Sequence, residues 1–319
     1  MDGEGSSVPT SKNSASASKP GFANSLNVMY KFSRPHTIKG TILASFMGVA
    51  RALLENPGKL TAKLIPKACI GLVALLCGNA YIVGINQIYD VKIDEINKPF
   101  LPIAAKKLST KTAWQIVFSC LVTGVSVVYT QFSPLIFRLY MLGTVLGTIY
   151  SVPPFQFKRF PILAGGIIAT VRGFLLNFGV YYAVREALSV PFTWNPVVGF
   201  IAAFMTVFAS VIAITKDLSD IEGDKKFKIE TFASKYGVKT VANCATVALS
   251  LAYTAAIALP FVMKGAFKPL VMSVSHAAFL IYFLVSSSQL DGGDVRSINR
   301  FYKAIWNLFY LEYCVYPFI

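Results

Sequence analysis

Eight of the fifteen acidic residues fall in two short stretches of the chain. The first reads Asn86-Gln87-Ile88-Tyr89-Asp90-Val91-Lys92-Ile93-Asp94, with Asn86, Asp90 and Asp94 at i, i+4 and i+8. The second reads Lys216-Asp217-Leu218-Ser219-Asp220-Ile221-Glu222-Gly223-Asp224, with Asp217, Asp220 and Asp224 at i, i+3 and i+7. On a helix each set shares one face, so each stretch predicts an oxygen-rich stripe. Five aspartates around one cavity do not all stay ionised without compensation. A hard divalent cation resolves this. Mg²⁺ takes oxygen ligands and is held by one or two carboxylates together with substrate phosphates. Asn86, Asp90, Asp94, Asp217, Asp220 and Asp224 are therefore the candidate metal ligands, with Lys98, Lys158 and Lys216 as diphosphate contacts. Between two such stripes an allylic diphosphate ionises, because metal and cationic groups stabilise the leaving group. An apolar cavity keeps water from the allylic cation. Two alternatives stand beside this reading. Each stretch alone reads equally as a solvated loop with scattered charge. A divalent-cation transporter also uses intramembrane acids, although acids at span ends with lysines beside them speak against it.

The elements that must position these residues follow from composition. The chain has 319 residues, of which 55% are hydrophobic and 14% charged, against about 25% charged in soluble proteins. Mean hydropathy is +0.57. This is the composition of an all-α, multi-pass membrane protein, and it excludes most soluble enzyme folds. Nine transmembrane helices around a central cavity are expected, at about 37–54, 65–89, 112–130, 134–150, 161–183, 195–216, 238–263, 269–288 and 301–319. The net charge of +15 resides in short loops between apolar runs. It therefore reads as topology and lipid contact rather than nucleic-acid binding. Twenty of the thirty Lys and Arg fall on the side that carries the N-terminus and eight on the other. Both acidic stretches lie on the cation-rich side, expected to be cytosolic or stroma-like. Residues 1–30, Ser-rich and without Arg, read as a disordered tail or targeting remnant, and 31–319 as the membrane domain.

Several single residues have a case of their own. Arg172 lies inside the fifth span, where an unpaired cation is costly and points to function. It is a candidate for diphosphate or acceptor-carboxylate contact, with Glu312 as an alternative, structural partner. Tyr150 ends the fourth span ahead of Pro153-Pro154, which stop the helix and aim Tyr150 and Lys158 at the cavity. Tyr150 is the candidate catalytic aromatic alongside Asp90, Asp94, Asp220 and Asp224. Gln87, inside the first motif, is a candidate substrate contact. His276 reads as a packed core residue. The five cysteines show no metal or disulfide spacing and read as buried small side chains. Gly143 and Gly147 form a GxxxG suited to close helix approach.

The paired motifs, Asn86/Asp90/Asp94 and Asp220/Asp224 with Asp217 upstream, resemble those of the UbiA-type intramembrane prenyltransferases. The resemblance covers about residues 30–319. Arg34 to Ile38, Asn86 to Pro102, Gly147 to Pro154, Lys158 to Pro161, Ala169 to Tyr182 and Trp306 to Tyr310 look like the homogentisate prenyltransferase group. Gly78 to Gln87 and Val171 to Tyr182 are most similar to its solanesyl-transferring members. The resemblance implies a UbiA-like bundle, Mg²⁺, solanesyl diphosphate as donor and homogentisate as acceptor, with loss of CO₂, in plastoquinone biosynthesis in a chloroplast membrane. Phytyl or geranylgeranyl transfer, or prenylation of another phenolic, is the alternative within the group. Substrates and membrane lipid are the expected partners, with no nucleic acid and no obligatory protein partner.

Overall fold

The computed structural model describes residues 22–59, 64–227 and 229–319. Among the described residues all regular structure is helical: α1 (Phe22–Phe32), α2 (Pro35–Glu55), α3 (Leu64–Tyr89), α4 (Val91–Asn97), α5 (Thr110–Gln131), α6 (Pro134–Ser151), α7 (Pro161–Ile168), α8 (Leu176–Ala187), α9 (Pro196–Thr215), α10 (Ile221–Lys226), α11 (Phe232–Val262), α12 (Pro269–Ser288) and α13 (Val295–Val315), with short 3₁₀ turns between them. A π-helical turn, Ala169–Leu175, joins α7 and α8 into one continuous crossing.

Local sequence explains where these helices begin. Five of them, α2, α6, α7, α9 and α12, start on a proline. Proline has the right φ for the first helical turn and lacks an N–H that would go unpaired there. Ser109, Asn195 and Thr231 cap α5, α9 and α11 by accepting from backbone N–H groups, as such side chains do at helix starts. α11 bends at Gly237, whose φ of 80° is left-handed and costs glycine nothing. Its membrane-length part therefore begins near 238, as the hydropathy pattern predicts.

Among the described residues seven crossings are long and apolar enough to span a bilayer: α2, α3, α5, α7 with α8, α9, α11 and α12. The fourth and ninth expected spans exist as helices α6 and α13, but neither is among the seven. Arg138 interrupts the 18-residue α6. α13 carries Arg296, Arg300, Lys303 and Glu312. Of the expected tail, residues 1–21 lie outside the described residues. Helix α1 begins at Phe22, nine residues before the expected domain boundary.

The C-terminal half is densely packed. Met205 and Phe208 of α9, Leu249 and Tyr253 of α11, Phe283 of α12 and Ile305, Phe309 and Tyr313 of α13 are fully buried there. His276 and Glu312 pair within this core at 3.3 Å, both buried, which matches the structural roles expected of them. In the N-terminal half, α6 presses against α3 where Gly147 leaves room. A Cβ there would stand 2.5 Å from Ile82 Cγ1. The expectation of buried cysteines is corrected. All five are free, but Cys69, Cys244 and Cys314 are exposed. The outer face of a spanning helix meets lipid rather than water, so a small apolar side chain is as stable outside as inside.

Candidate active site

The two acidic stretches do not form two straight stripes. In each, a long helix breaks and a short helix resumes. Asp90 caps α4 at φ −105°, ψ 8°, and Asp220 caps α10 at φ −102°, ψ 2°. In both, the backbone N–H of the next motif aspartate donates back to the capping residue: Asp94 to Asp90 at 2.8 Å, and Asp224 to Asp220 at 3.0 Å. The two halves of the chain thus repeat one local structure. The expectation of one continuous helical face per motif is corrected accordingly. In the first motif i→i−4 backbone bonds still run from Asn86 through Asp90 and Asp94 to Lys98, so the interruption is local.

The two motifs meet directly. Lys98 forms an ion pair with Asp220, and Asn97 Nδ2 donates to Asp224 Oδ1 at 3.3 Å. Gly223 permits this approach. A Cβ on it would lie 2.0 Å from Asn97 Oδ1. Within the first motif Asn86 is threaded into a chain. Arg34 Nη2 donates to Asn86 Oδ1 at 3.0 Å, and Asn86 Nδ2 donates to Asp90 Oδ2 at 2.7 Å. Lys158 pairs with Asp90, and Lys216 with Asp217 at 2.5 Å. Thr231 Oγ1 donates to Asp224 Oδ2 at 3.3 Å.

Three of the aspartates are buried: Asp94, Asp220 and Asp224. Burial, partly opposed by Arg34 and Lys98, raises the Asp94 carboxyl to about 6. Burial and then the neighbouring charges of Asp217 and Asp220 raise Asp224 to about 7. Lys158 is pushed down by burial, against the pull of Asp90. Asp94 Oδ2 is buried and has no hydrogen-bond partner. Such an orphaned carboxylate oxygen is costly unless a ligand satisfies it.

Among the described residues no three carboxylates converge closely enough to enclose an ion by themselves. The oxygen donors instead line one wall of a cavity of about 950 Å³. An all-oxygen donor set with one orphaned oxygen, distributed over two facing half-sites, fits Mg²⁺ shared with a diphosphate. It does not fit a closed protein cage.

The cavity continues from this polar head between α2, α3, α6 and α8. Its apolar wall includes Val49, Leu75, Leu139 and Leu175 and reaches Leu64, Phe132 and Ala187 at the opposite end. Asn86, Asp90, Asp94, Lys98, Tyr150, Lys158, Arg172, Lys216, Asp217, Asp220 and Asp224 all line it. Of the candidate site residues only Gln87 is not brought in. Its side chain is buried and donates to the Phe32 carbonyl at 2.6 Å, which ties the end of α1 to α3. Arg34, Asn97, Gly223 and Thr231 were not legible as site residues. Arg34-Pro35 and the glycine inside the second motif were the available signals; Asn97 and Thr231 had none.

The UbiA prenyltransferase family matches residues 42–309. The chain belongs to the UbiA prenyltransferase family. Among its relatives is the probable chloroplastic homogentisate phytyltransferase 2 of Oryza sativa subsp. japonica, 54% identical over 91% of this chain and 77% of that protein. Another is the chloroplastic homogentisate solanesyltransferase of Arabidopsis thaliana, at 50% over 92% and 76%. A third is the chloroplastic 2-acylphloroglucinol 4-prenyltransferase of Humulus lupulus, at 41% over 92% and 72%. The fold matches a UbiA homolog from Archaeoglobus fulgidus solved with GPP and Mg²⁺, with a TM-score of 0.64. That match has 20% identity and covers 91% of this chain and 99% of that one. This UbiA chain is therefore an aromatic prenyltransferase of the homogentisate group, built on an all-helical membrane fold.

Proposed function

We propose that the protein transfers a solanesyl group from solanesyl diphosphate to homogentisate with loss of CO₂, in a chloroplast membrane, with the polar head of the cavity on the stroma-like side. The observation that carries the reading is the cavity itself. Two aspartate half-sites and three lysines stand at one end, and an apolar passage runs the length of the bundle behind them. Relatives that act on homogentisate supply the acceptor class. Chloroplastic relatives and seven span-length helices support the compartment.

Asn86, Asp90, Asp94, Asp217, Asp220 and Asp224 would hold Mg²⁺. When bound, Mg²⁺ neutralises charge on the departing diphosphate. Lys98, Lys158 and Lys216, each now paired with an aspartate, turn to the diphosphate oxygens as the donor enters. The apolar wall excludes water from the allylic cation. Tyr150, at the junction of head and passage, offers a ring face to that cation. The electron-rich ring carbon of the acceptor attacks, and decarboxylation and rearomatisation complete the product.

The deciding test uses membranes expressing the chain, labelled homogentisate, Mg²⁺ and a panel of solanesyl, geranylgeranyl, phytyl and dimethylallyl diphosphates, with products identified by mass spectrometry. A decarboxylated solanesyl product that disappears with EDTA is expected. Product from phytyl diphosphate alone would favour the second reading, phytyl transfer, which the 54% identity to the rice protein supports.

A further inference from the structure

Arg172 stands apart from the lysine and aspartate head. Among the described residues it forms no ion pair, and Glu312, the one acid within a nearby span, is taken by His276. Its Nη1 is buried with no hydrogen-bond partner, and it lines the cavity. A guanidinium nitrogen buried without a partner is costly, so the surrounding fold must impose it. The π-helical turn does so. Gly173 presses against α9, where a Cβ would lie 2.4 Å from Thr206 Cα, and Asn177 Nδ2 clamps the Gly173 carbonyl at 2.6 Å. π turns of this kind concentrate at functional sites. On the far side Gly40 keeps space open. A Cβ there would stand 3.3 Å from Arg172 Nη1 and 3.0 Å from Phe309.

The wall beside Arg172 is aromatic. Its guanidinium lies 5.5 Å over the Trp306 ring. His36 stands edge-on to Trp306 at 5.0 Å, and Tyr302 meets Trp306 at 6.4 Å. The indole Nε1 of Trp306 is also buried and unpartnered. His36, Trp306 and Tyr302 all line the cavity. The pocket therefore offers a buried guanidinium nitrogen without a partner, with the Trp306 indole beside it, against aromatic faces.

We propose that Arg172, with Trp306, is the seat of the acceptor's carboxylate, and that it makes the enzyme selective for acidic over neutral phenols. A planar aromatic acid matches both parts of the pocket. Its carboxylate accepts charge-assisted hydrogen bonds from the guanidinium, and its ring lies among aromatic side chains. The donor diphosphate has its own cations in Lys98, Lys158 and Lys216 and leaves Arg172 free. This assignment rests on the aromatic-acid acceptor proposed above, and the experiment separates the two.

Equilibrium dialysis measures radiolabelled homogentisate bound by the purified full chain in detergent, with Mg²⁺ and inorganic diphosphate present. Neutral 2,5-dihydroxyphenylacetamide is the competitor, and diphosphate binding is measured in parallel. Wild type is expected to prefer homogentisate to the amide by about tenfold, the worth of a charge-assisted hydrogen bond. Arg172→Gln should bind homogentisate about tenfold more weakly and lose that preference, while Arg172→Lys retains part of it. Diphosphate binding within about twofold of wild type in all three reports an intact fold. Loss of diphosphate binding in Arg172→Gln, unchanged homogentisate binding in that variant, or no homogentisate binding by wild type each overturns the assignment. If Arg172-dependent binding is found but no donor gives prenylated homogentisate, the pocket stands and the proposed reaction falls.

Discussion

At the scale of single residues, the site is a set of carboxylates and lysines held partly out of solvent. Asp90 and Asp220 cap the two short helices and each carries a lysine. Asp90→Ala or Asp220→Ala removes a proposed metal ligand and releases that lysine. Turnover is expected to fall at least about 100-fold, the scale seen when preorganised charge is lost, while the protein still inserts and keeps its helical content. Near-normal product from either purified variant would defeat the metal assignment. The pH dependence follows from Asp94 at about 6 and Asp224 at about 7, both raised from an ordinary value of about 3.9. Without metal, the folded state holds protons that the unfolded chain has already released. The stability from these protons is complete below about pH 4 and is lost as the pH rises through 6 and 7. Metal-free protein should therefore melt at a higher temperature at pH 5.5 than at pH 8. Mg²⁺ displaces the same protons, so its affinity should rise over this interval. A pH-independent Mg²⁺ affinity would remove Asp94 and Asp224 from the ligand set.

At the scale of elements, the decisive contact is α4 against α10. It brings Asn97 to Asp224 and Lys98 to Asp220, and Gly223 makes the approach possible. Gly223→Ala puts a methyl where the Asn97 amide stands, so that amide must turn away and the Asn97–Asp224 hydrogen bond that registers the two half-sites is lost. A displacement of about 1 Å can lower a rate about 100-fold, while only the flexible end of one side chain gives way. The prediction is a drop in turnover of tens of fold with an apparent melting temperature within a few degrees of wild type. Equal loss of both would show Gly223 to be a stability residue only.

At the scale of the whole molecule, the two halves have different tasks. The C-terminal helices form a dense core, and the N-terminal helices surround the passage. Gly179 of α8 lines that passage, and a Cβ on it would meet nothing within 4 Å. Gly179→Leu starts from a Cβ that meets nothing and places its side chain in the passage, which should shorten it. With the donor panel, the ratio of short-chain to solanesyl product is expected to rise about tenfold, at unchanged Mg²⁺ dependence. An unchanged ratio would place the donor tail elsewhere.

Much of this was legible without the fold. Hydropathy marked each long helix, because about 20 apolar residues are needed to cross a bilayer whatever their partners. Prolines stand at five helix starts, where the constraint lies in the residue itself. The aspartate motifs, their shared side of the membrane and the oddity of Arg172 were visible because charge is scarce in such a chain. Other features depend on residues far apart in sequence. Gln87 sits within the first motif, still inside α3, but turns to the Phe32 carbonyl, a partner 55 residues away that only packing supplies. Asn97, Thr231 and Gly223 gain a role only where α4 meets α10 and α11. The break at Asp90 and its repeat at Asp220 are tertiary outcomes as well. By itself the sequence determined that this is a helical membrane protein with two acidic clusters on one side, because composition and chain length act locally. Only the tertiary structure decided that the clusters share one cavity, that lysines pair with their aspartates, and that Arg172 has no ion-pair partner among the described residues, because each of these is a meeting of distant segments.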